Sequence, residues 1–329
     1  MQSFLVTGGC GFIGSHLVDN LIDEGFYVRV LDDLSTGTLK NLNPRATFIQ
    51  GDVADPMAVA RAMEGVDGCF HLAAVSSVVR ANEDWLGTHH TNQTGSVAVF
   101  NAARTLDGRA SIPVVYASSA AVYGNAPFTP IPESAPLAAE TAYGADKLGS
   151  ELHARVAWRV HGVPTIGLRF FNVYGPRQNA KSDYSGVISV FLHRLMAQKP
   201  ISLYGDGSRI RDFIHVDDVV QHLRAAMDIK SKDCLVMNVC TGRGTSIAEL
   251  LNYLSEILGM DPKIVHAPER KGDIQISVGD PSLAEKKLKL AAKKPLMDGL
   301  VNLAAYVSRN GLSDFDVTAQ TARTQIKGD

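Results

Sequence analysis

Through the first half of the chain, short apolar runs alternate with longer stretches in which apolar residues recur at helical spacing. The runs fall near residues 4–6, 27–31, 47–50, 69–72, 114–117 and 165–169. Runs of that length predict buried strands, and the stretches between them predict helices. The alternation implies parallel strands with crossover helices, hence an α/β doubly wound sheet with ligands gathered at the carboxyl ends of its strands. The residues just past each strand are therefore the first candidates for chemistry: 7–11, Asp32, Asp52, 73–76, Ser118 and Ser119, and 170–172.

The first of these turns reads TGGCGFIG. Gly9, Gly11 and Gly14 have G-x-G-x-x-G spacing, and Gly8, Gly11 and Gly14 have the wider G-x-x-G-x-x-G spacing. Glycines there allow a tight turn, close approach to a pyrophosphate and close packing of the next helix, which is expected to begin near Ser15 and to offer its N-terminal amides to the anion. The second strand ends at Asp32, 18 residues beyond Gly14, where an acid can meet the adenosine ribose hydroxyls. A carboxylate repels a 2′-phosphate and no arginine follows directly in DDLSTG, so the predicted cofactor is NAD rather than NADP.

The rhythm changes near Tyr174. A polar loop over 175–186 precedes an apolar helix expected over 187–199, then a hairpin-like LYGDGS and the segment RDFIHVDD. Residues 236–239 read as one more strand of the sheet, so the chain crosses between lobes. Ser246 with Glu249, and Ser282 with Glu285, have capping-box spacing and are expected to start helices. The expected division is a Rossmann-type domain from 1–173 plus about 213–242, and a smaller α/β C-terminal substrate lobe from about 174–212 plus 243–313. A polar tail over 314–329 is expected to fray.

At 329 residues and 45% hydrophobic, the chain can bury a sizeable core. Its net charge of −2 gives no electrostatic reason to bind nucleic acid or an acidic membrane. Lys286, Lys287, Lys289, Lys293 and Lys294 read as a solvated helix face. With no apolar stretch of membrane-spanning length and a strand close to Met1, a cytoplasmic protein is expected. Cys10, Cys69, Cys234 and Cys240 form no C-x-x-C pair and read as buried thiols, and the histidines show no metal signature.

Tyr143 and Lys147 lie four apart in a segment, 143–161, that reads as helix, so both rise from one face. An ammonium beside a phenol favours the phenolate and is expected to bring its pKa toward neutrality. Such a tyrosine can take a proton from a sugar hydroxyl while the carbon beneath gives hydride to the nicotinamide. Ser118 and Ser119 can share the hydrogen bond to that hydroxyl.

TGGCGFIG, LDDLSTG, GDV, HLAA, SSAAVYG, YGADK, LRFFNVYGPRQ and GDGSRIRDFIHVDD together resemble the extended short-chain dehydrogenase/reductase family, and within it the nucleotide-sugar 4-epimerases. The resemblance covers roughly residues 3–285. It implies hydride transfer from carbon 4 of a UDP-sugar, turnover of the 4-keto sugar in the site, and return of hydride to the other face. Ser119, Tyr143 and Lys147 match the catalytic set. For NAD the resemblance nominates Gly8, Gly11, Phe12, Ile13, Gly14, Asp32, Asp33, Ser35, Gly37, Asp52, Val53, Leu72, Ala73, Ala74, Asn92, Ser118 and Phe170 beside Tyr143 and Lys147. For the sugar nucleotide it nominates Asn172, Arg211, Arg270, Asp273 and Ser277 with Ser119 and Tyr143, the arginines as diphosphate clamps.

Related dehydratases carry an Asp-Glu pair after the strand-end hydroxyl, and glucuronate decarboxylases keep a glutamate there; this chain has Ala120 and Ala121. Proton transfer is left to the tyrosine, which suffices for 4-epimerisation. Ser277, four beyond Asp273, stands where a tyrosine would block an N-acetyl group, so UDP-GlcNAc/UDP-GalNAc are expected to be accepted along with UDP-Glc/UDP-Gal. The alternatives are a UDP-glucuronate 4-epimerase or another nucleotide-sugar enzyme of this fold, and a non-catalytic NAD-binding regulator. Asp146, directly before Lys147, departs from the serine or threonine usual in the family. Helices expected over 92–106 and 143–161 resemble those that pair in the family's dimers, so a homodimer is expected.

Overall fold

The computed structural model describes residues 1–104, 110–179, 186–229, 234–269 and 274–310. In chain order its strands are β1 (Ser3–Thr7), β2 (Tyr27–Asp32), β3 (Thr47–Gln50), β4 (Gly68–His71), β5 (Val114–Ser119), β6 (Thr165–Phe170), β7 (Asn172–Tyr174), β8 (Ile201–Tyr204), β9 (Ile210–His215), β10 (Leu235–Val239), β11 (Gly244–Ser246), β12 (Ile264–Ala267) and β13 (Ile276–Ser277). The helices are α1 (Phe12–Asp23), α2 (Pro56–Met63), α3 (Val78–Glu83), α4 (Trp85–His89), α5 (Gly95–Ala102), α6 (Ala142–His161), α7 (Val187–Met196), α8 (Val216–Asp228), α9 (Ile247–Leu258), α10 (Ser282–Leu288) and α11 (Leu296–Asn310).

Seven strands form one parallel sheet in the order β3-β2-β1-β4-β5-β6-β10. Successive strands run outward from β1 in one direction and from β4 in the other. The connections must therefore part between β1 and β4, which opens a crevice at their carboxyl ends. Leu17, Val18 and Leu21 of α1 pack with Val219, Val220 and Leu223 of α8 on one face, and Val59 and Met63 of α2 with Val99 and Phe100 of α5 on the other. Both faces are covered, which is why the strands read as apolar runs rather than alternating ones.

A second sheet carries β11-β9-β13, with β7 beside β9, and β8 pairs with β12 in a third. Phe191, Leu192, Leu195, Leu250, Leu254, Leu303 and Val307 form the core of this part. Asp212 of β9 ties it to the end of β10, accepting from the Thr241 amide at 2.9 Å, the Thr241 hydroxyl at 2.6 Å and the Gly242 amide at 2.9 Å.

Several expectations shift by local causes. The first helix begins at Phe12 rather than near Ser15, because the glycine turn itself supplies the cap: the Ser15 amide bonds the Gly11 carbonyl at 3.1 Å. β5 and β6 run on through Ser119 and Phe170, since Ser118 pairs with Arg169 and Ser119 with Phe170. The helix expected over 92–106 is a π-helical turn, His90–Thr94, followed by α5, with 105 and 106 outside the described residues. The helix expected over 187–199 stops at Met196, and Gln198 has a left-handed φ of 52°. LYGDGS does turn, with Gly205 and Gly207 at positive φ, but it joins strands of different sheets and is not a hairpin. The Ser246/Glu249 capping box forms; Ser282 instead bonds Asp280, and Pro281 precedes α10 with no side-chain cap. The lysines are not one helix face: Lys289, Lys293 and Lys294 lie past α10, and the Lys294 ammonium meets Asp217 at 2.8 Å. Cys234 is only half-buried, unlike the other three cysteines. The expected polar tail lies outside the described residues, and no helix among them is long and apolar enough to cross a membrane.

A buried polar network fixes α6 against β5 and β6. The Arg169 guanidinium forks onto Glu151 at 2.8 and 2.7 Å, and the Ser118 hydroxyl donates to the same carboxylate at 2.5 Å. Arg169 also donates to the Tyr123 hydroxyl at 2.8 Å, which donates to Asn238 of β10 at 2.6 Å. Arginine and glutamate are each about 5–6% exposed, so neither can find water if its partner goes. Arg169→Met therefore lowers unfolding free energy by about 3–5 kcal/mol, and the double variant Arg169→Met/Glu151→Leu recovers most of that loss, as measured by urea unfolding.

Candidate active site

The crevice between β1 and β4 is a cavity of about 450 Å³. Its floor is the glycine turn, where Gly8 and Gly14 admit no side chain. Gly8 has φ 71°, and a Cβ there would lie 2.8 Å from the Ala73 amide nitrogen. A Cβ on Gly14 would lie 2.1 Å from the Gly8 carbonyl oxygen, so the turn and α1 are in contact through backbone alone. Gly11, Phe12 and Ile13 complete this wall.

Asp32, at the end of β2, is 7% exposed. Its carboxylate accepts from the Cys10 amide and the Leu34 amide, both at 2.9 Å. Burial raises its pKa and those two hydrogen bonds oppose the rise. A group that donates to this carboxylate from the cavity, as a ribose hydroxyl can, stabilises its charged form. Asp33, Ser35 and Thr36 line the cavity beside it.

The loop after β4 forms the facing wall through Leu72, Ala73 and Ala74. The Thr7 hydroxyl accepts from the Leu72 and Ala73 amides, both at 3.2 Å, which occupies its two lone pairs. Its proton must then go to His71 Nδ1 at 2.8 Å, so His71 carries its own proton on Nε2 and donates to Ser96 at 3.1 Å. Burial, then the charge of Lys147, holds the His71 pKa down to about 3, and the ring stays neutral. Asn92 latches the same loop: its side chain accepts from the Val75 amide at 2.8 Å and donates to the Val75 carbonyl at 3.1 Å.

Opposite the dinucleotide end stand Ser119, Tyr143 and Lys147, all lining the cavity. Thr141 caps α6 by accepting from the Gly144 amide at 3.0 Å, which starts the helix one residue before Tyr143. Ser119 shares the lining with Tyr143, and its hydroxyl accepts from the Ala121 amide at 3.1 Å. The Lys147 ammonium donates to the Ala117 carbonyl at 2.9 Å and lies 5.8 Å from the Tyr143 ring centre. Burial lowers the Lys147 pKa to about 8, against the charge of Asp146. Burial also raises the Tyr143 pKa, with the nearby Ser119 hydroxyl opposing the rise. In the protein by itself desolvation thus governs the tyrosine, contrary to the expected fall toward neutrality.

Of the other nominated residues, Val53, Phe170 and Asn172 line the cavity. Ser118 reaches the lining too, but its hydroxyl is committed to Glu151. Three cofactor nominees lie outside the lining: Asp52 is exposed and turns its carboxylate onto the Ala54 amide at 2.8 Å, Gly37 folds over Asp32, and Asn92 acts through Val75. Arg211 and Ser277 also lie outside it, facing each other as register partners of β9 and β13. Arg270 and Asp273 fall outside the described residues. Thr36, Thr91 and Gln178 line the cavity without having been nominated. Thr36 and Gln178 stand inside quoted motifs, as do Thr7 and His71 behind the wall, whereas Ser96 looks like an ordinary core position and gave no signal.

The turn stripped of side chains at Gly8 and Gly14, the buried acid and the amide-bearing loop fit an extended anionic dinucleotide. The model of the NAD dependent epimerase/dehydratase family matches residues 4–240. A UDP-glucose 4-epimerase of Azospirillum brasilense is 32% identical over 323 residues, covering 93% of this chain and 92% of that protein. The structure of a UDP-glucose 4-epimerase from Thermotoga maritima with UDP-glucose superposes with a TM-score of 0.89 at 34% identity, over 94% of this chain and 99% of that one. A UDP-N-acetylglucosamine 4-epimerase from Methanobrevibacter ruminantium, in complex with UDP-N-acetylmuramic acid, gives a TM-score of 0.88 at 32% identity, over 94% of this chain and 99% of that one. With its glycine turn, its strand-end acid and more than half its length matched, the chain belongs to the NAD dependent epimerase/dehydratase family.

Proposed function

We propose that the protein is an NAD-dependent 4-epimerase of UDP-sugars, interconverting UDP-glucose with UDP-galactose and UDP-GlcNAc with UDP-GalNAc. One observation carries this reading: Ser119, Tyr143 and Lys147 share a cavity with the dinucleotide turn, and the neighbouring position in that lining is Ala121, not an acid. The cavity therefore offers a proton carrier at the tyrosine without the acid that water loss would require.

NAD, held by the glycine turn and Asp32, would supply an acceptor for the carbon 4 hydride and a donor of it back to the opposite face of the sugar, which leaves the reaction redox-neutral overall. The chain's own residues hold and move the proton. Tyr143 Oη takes it from the 4-hydroxyl and later restores it, with Ser119 Oγ steadying the same oxygen. Lys147, charged and fixed to the Ala117 carbonyl, offsets the phenolate. The backbone of Gly8, Gly11, Phe12, Ile13 and Gly14 cradles the pyrophosphate, and Asp32 accepts from the ribose. Asn172, with Arg211, Arg270, Asp273 and Ser277 beyond it, takes the sugar nucleotide in the smaller lobe, whose proposed extent is about 174–212 plus 243–313. Val97 of α5 and Leu152, Val156 and Val160 of α6 are 38–67% exposed, an apolar stripe that a second copy of the chain covers in the proposed homodimer.

Tyr143→Phe lowers kcat by at least ~10²-fold while the protein keeps its NAD, read from the absorbance of the purified protein. Wild-type activity rises with pH as Tyr143 loses its proton and stops rising near pH 8, where Lys147 begins to lose its own. Incubated without added cofactor, the protein converts both UDP-Glc and UDP-GlcNAc to their 4-epimers, as separated by chromatography. Ser277→Tyr then loses at least about tenfold on UDP-GlcNAc and spares UDP-Glc. Conversion of neither sugar, with NAD supplied, overturns the epimerase reading. Val156→Glu turns the dimer into monomer by light scattering; an unchanged mass removes α6 from the interface.

A further inference from the structure

Asp146 is 4% exposed, one residue before Lys147 on α6. One carboxylate oxygen meets His89 Nδ1 at 2.7 Å; the other is buried with no hydrogen-bond partner among the described residues. A buried carboxylate with an unsatisfied oxygen costs stability, and its presence calls for an explanation. Its helix neighbours show none in packing: the Ser150 hydroxyl bonds the Asp146 backbone carbonyl at 2.9 Å and leaves the carboxylate alone.

The use lies one residue further along. Around Lys147, α6 presents Tyr143, Asp146 and Glu151, β4 presents His71, and β5 presents the Ala117 carbonyl. Glu151 is neutralised by its two-pronged bond to Arg169, and His71 is neutral. That leaves Asp146 as the buried negative charge near the lysine. Around Asp146, α4 presents His89, α3 carries Arg80 and Glu83, and the π-helical turn carries His90; the partner of the carboxylate is His89, which is half-exposed.

We propose that Asp146 is a positioning residue for Lys147: a buried negative charge, held in place by His89, that keeps the lysine amine protonated within the catalytic set. This rests on the role assigned to Lys147 above. Burial pushes the lysine toward its neutral form and Asp146 opposes that push. Removing the charge therefore brings lysine deprotonation, and the pH at which activity stops rising, to lower pH.

The test is the titration of Lys147 in protein labelled with ¹⁵N at lysine side chains, its signal assigned by loss in Lys147→Arg. Asp146→Asn moves that titration to lower pH by about one unit, the scale of a single opposite charge nearby, and the pH at which kcat stops rising moves with it. Asp146→Glu keeps both near the wild-type position. Asp146→Ser, which sets the family's usual residue there, removes the same charge and shifts the titration the same way; it decides alone if Asp146→Asn does not fold. A titration unmoved in both Asp146→Asn and Asp146→Ser overturns the proposal. So does a shift in Asp146→Glu as large as that in Asp146→Asn, which would make packing rather than charge the cause. The titration needs no substrate, so a protein that epimerises no UDP-sugar refutes the function proposed above and leaves this result standing.

Discussion

Desolvation of one helix face governs the rest of the structure. α6 buries Asp146, Lys147, Ser150 and Glu151 within two turns, where an amphipathic helix ordinarily puts aliphatic residues. Each buried polar group needs a partner, and nearly all the partners come from distant parts of the chain. Glu151 requires Arg169 on β6 and Ser118 on β5, Lys147 requires the carbonyl of Ala117, and Ser150 meets Ser96 in the first turn of α5. Those demands fix the helix in rotation and along its axis, and so they fix where Tyr143 stands relative to the cavity.

The same logic holds on the dinucleotide side. Thr7 cannot accept from two amides and still leave His71 its choice of tautomer, so one hydroxyl sets the donor order as far as Ser96. The wall formed by Leu72 and Ala73 is thereby held at the distance that Gly8, lacking a Cβ, permits. α6 joins this network through Ser150, so the two ends of the cavity are coupled by hydrogen bonds rather than by apolar packing alone.

Proton chemistry in such a site depends on competition between burial and charge. Burial alone would leave a neutral phenol and a neutral amine, a pair with little use as a proton carrier. A bound cationic nicotinamide and a nearby carboxylate act in the direction of phenolate and ammonium. In the protein by itself Asp146 is the part of that counterweight carried by the chain.

Much was legible in the linear order. Parallel strands, glycine turn, Asp32 and the Tyr143/Lys147 spacing follow from short-range pattern, because strand burial on both faces and a helix repeat leave their mark within a few residues. Ser119 and the alanines after it were legible for the same reason, standing at a strand end. What the sequence could not decide is which side chain a buried polar group meets. Ser118 looks as free as Ser119 until Glu151, 33 residues on, takes its hydroxyl. Asp52 and Gly37 sit in motifs yet stay out of the lining, because a loop turns its own carboxylate inward in one case and folds over Asp32 in the other. The sign of the Tyr143 shift was missed too, since charge is visible in a sequence and desolvation is not. Pattern along the chain determines the elements and their order; only packing determines exposure to water, and the protonation states of this site depend on it.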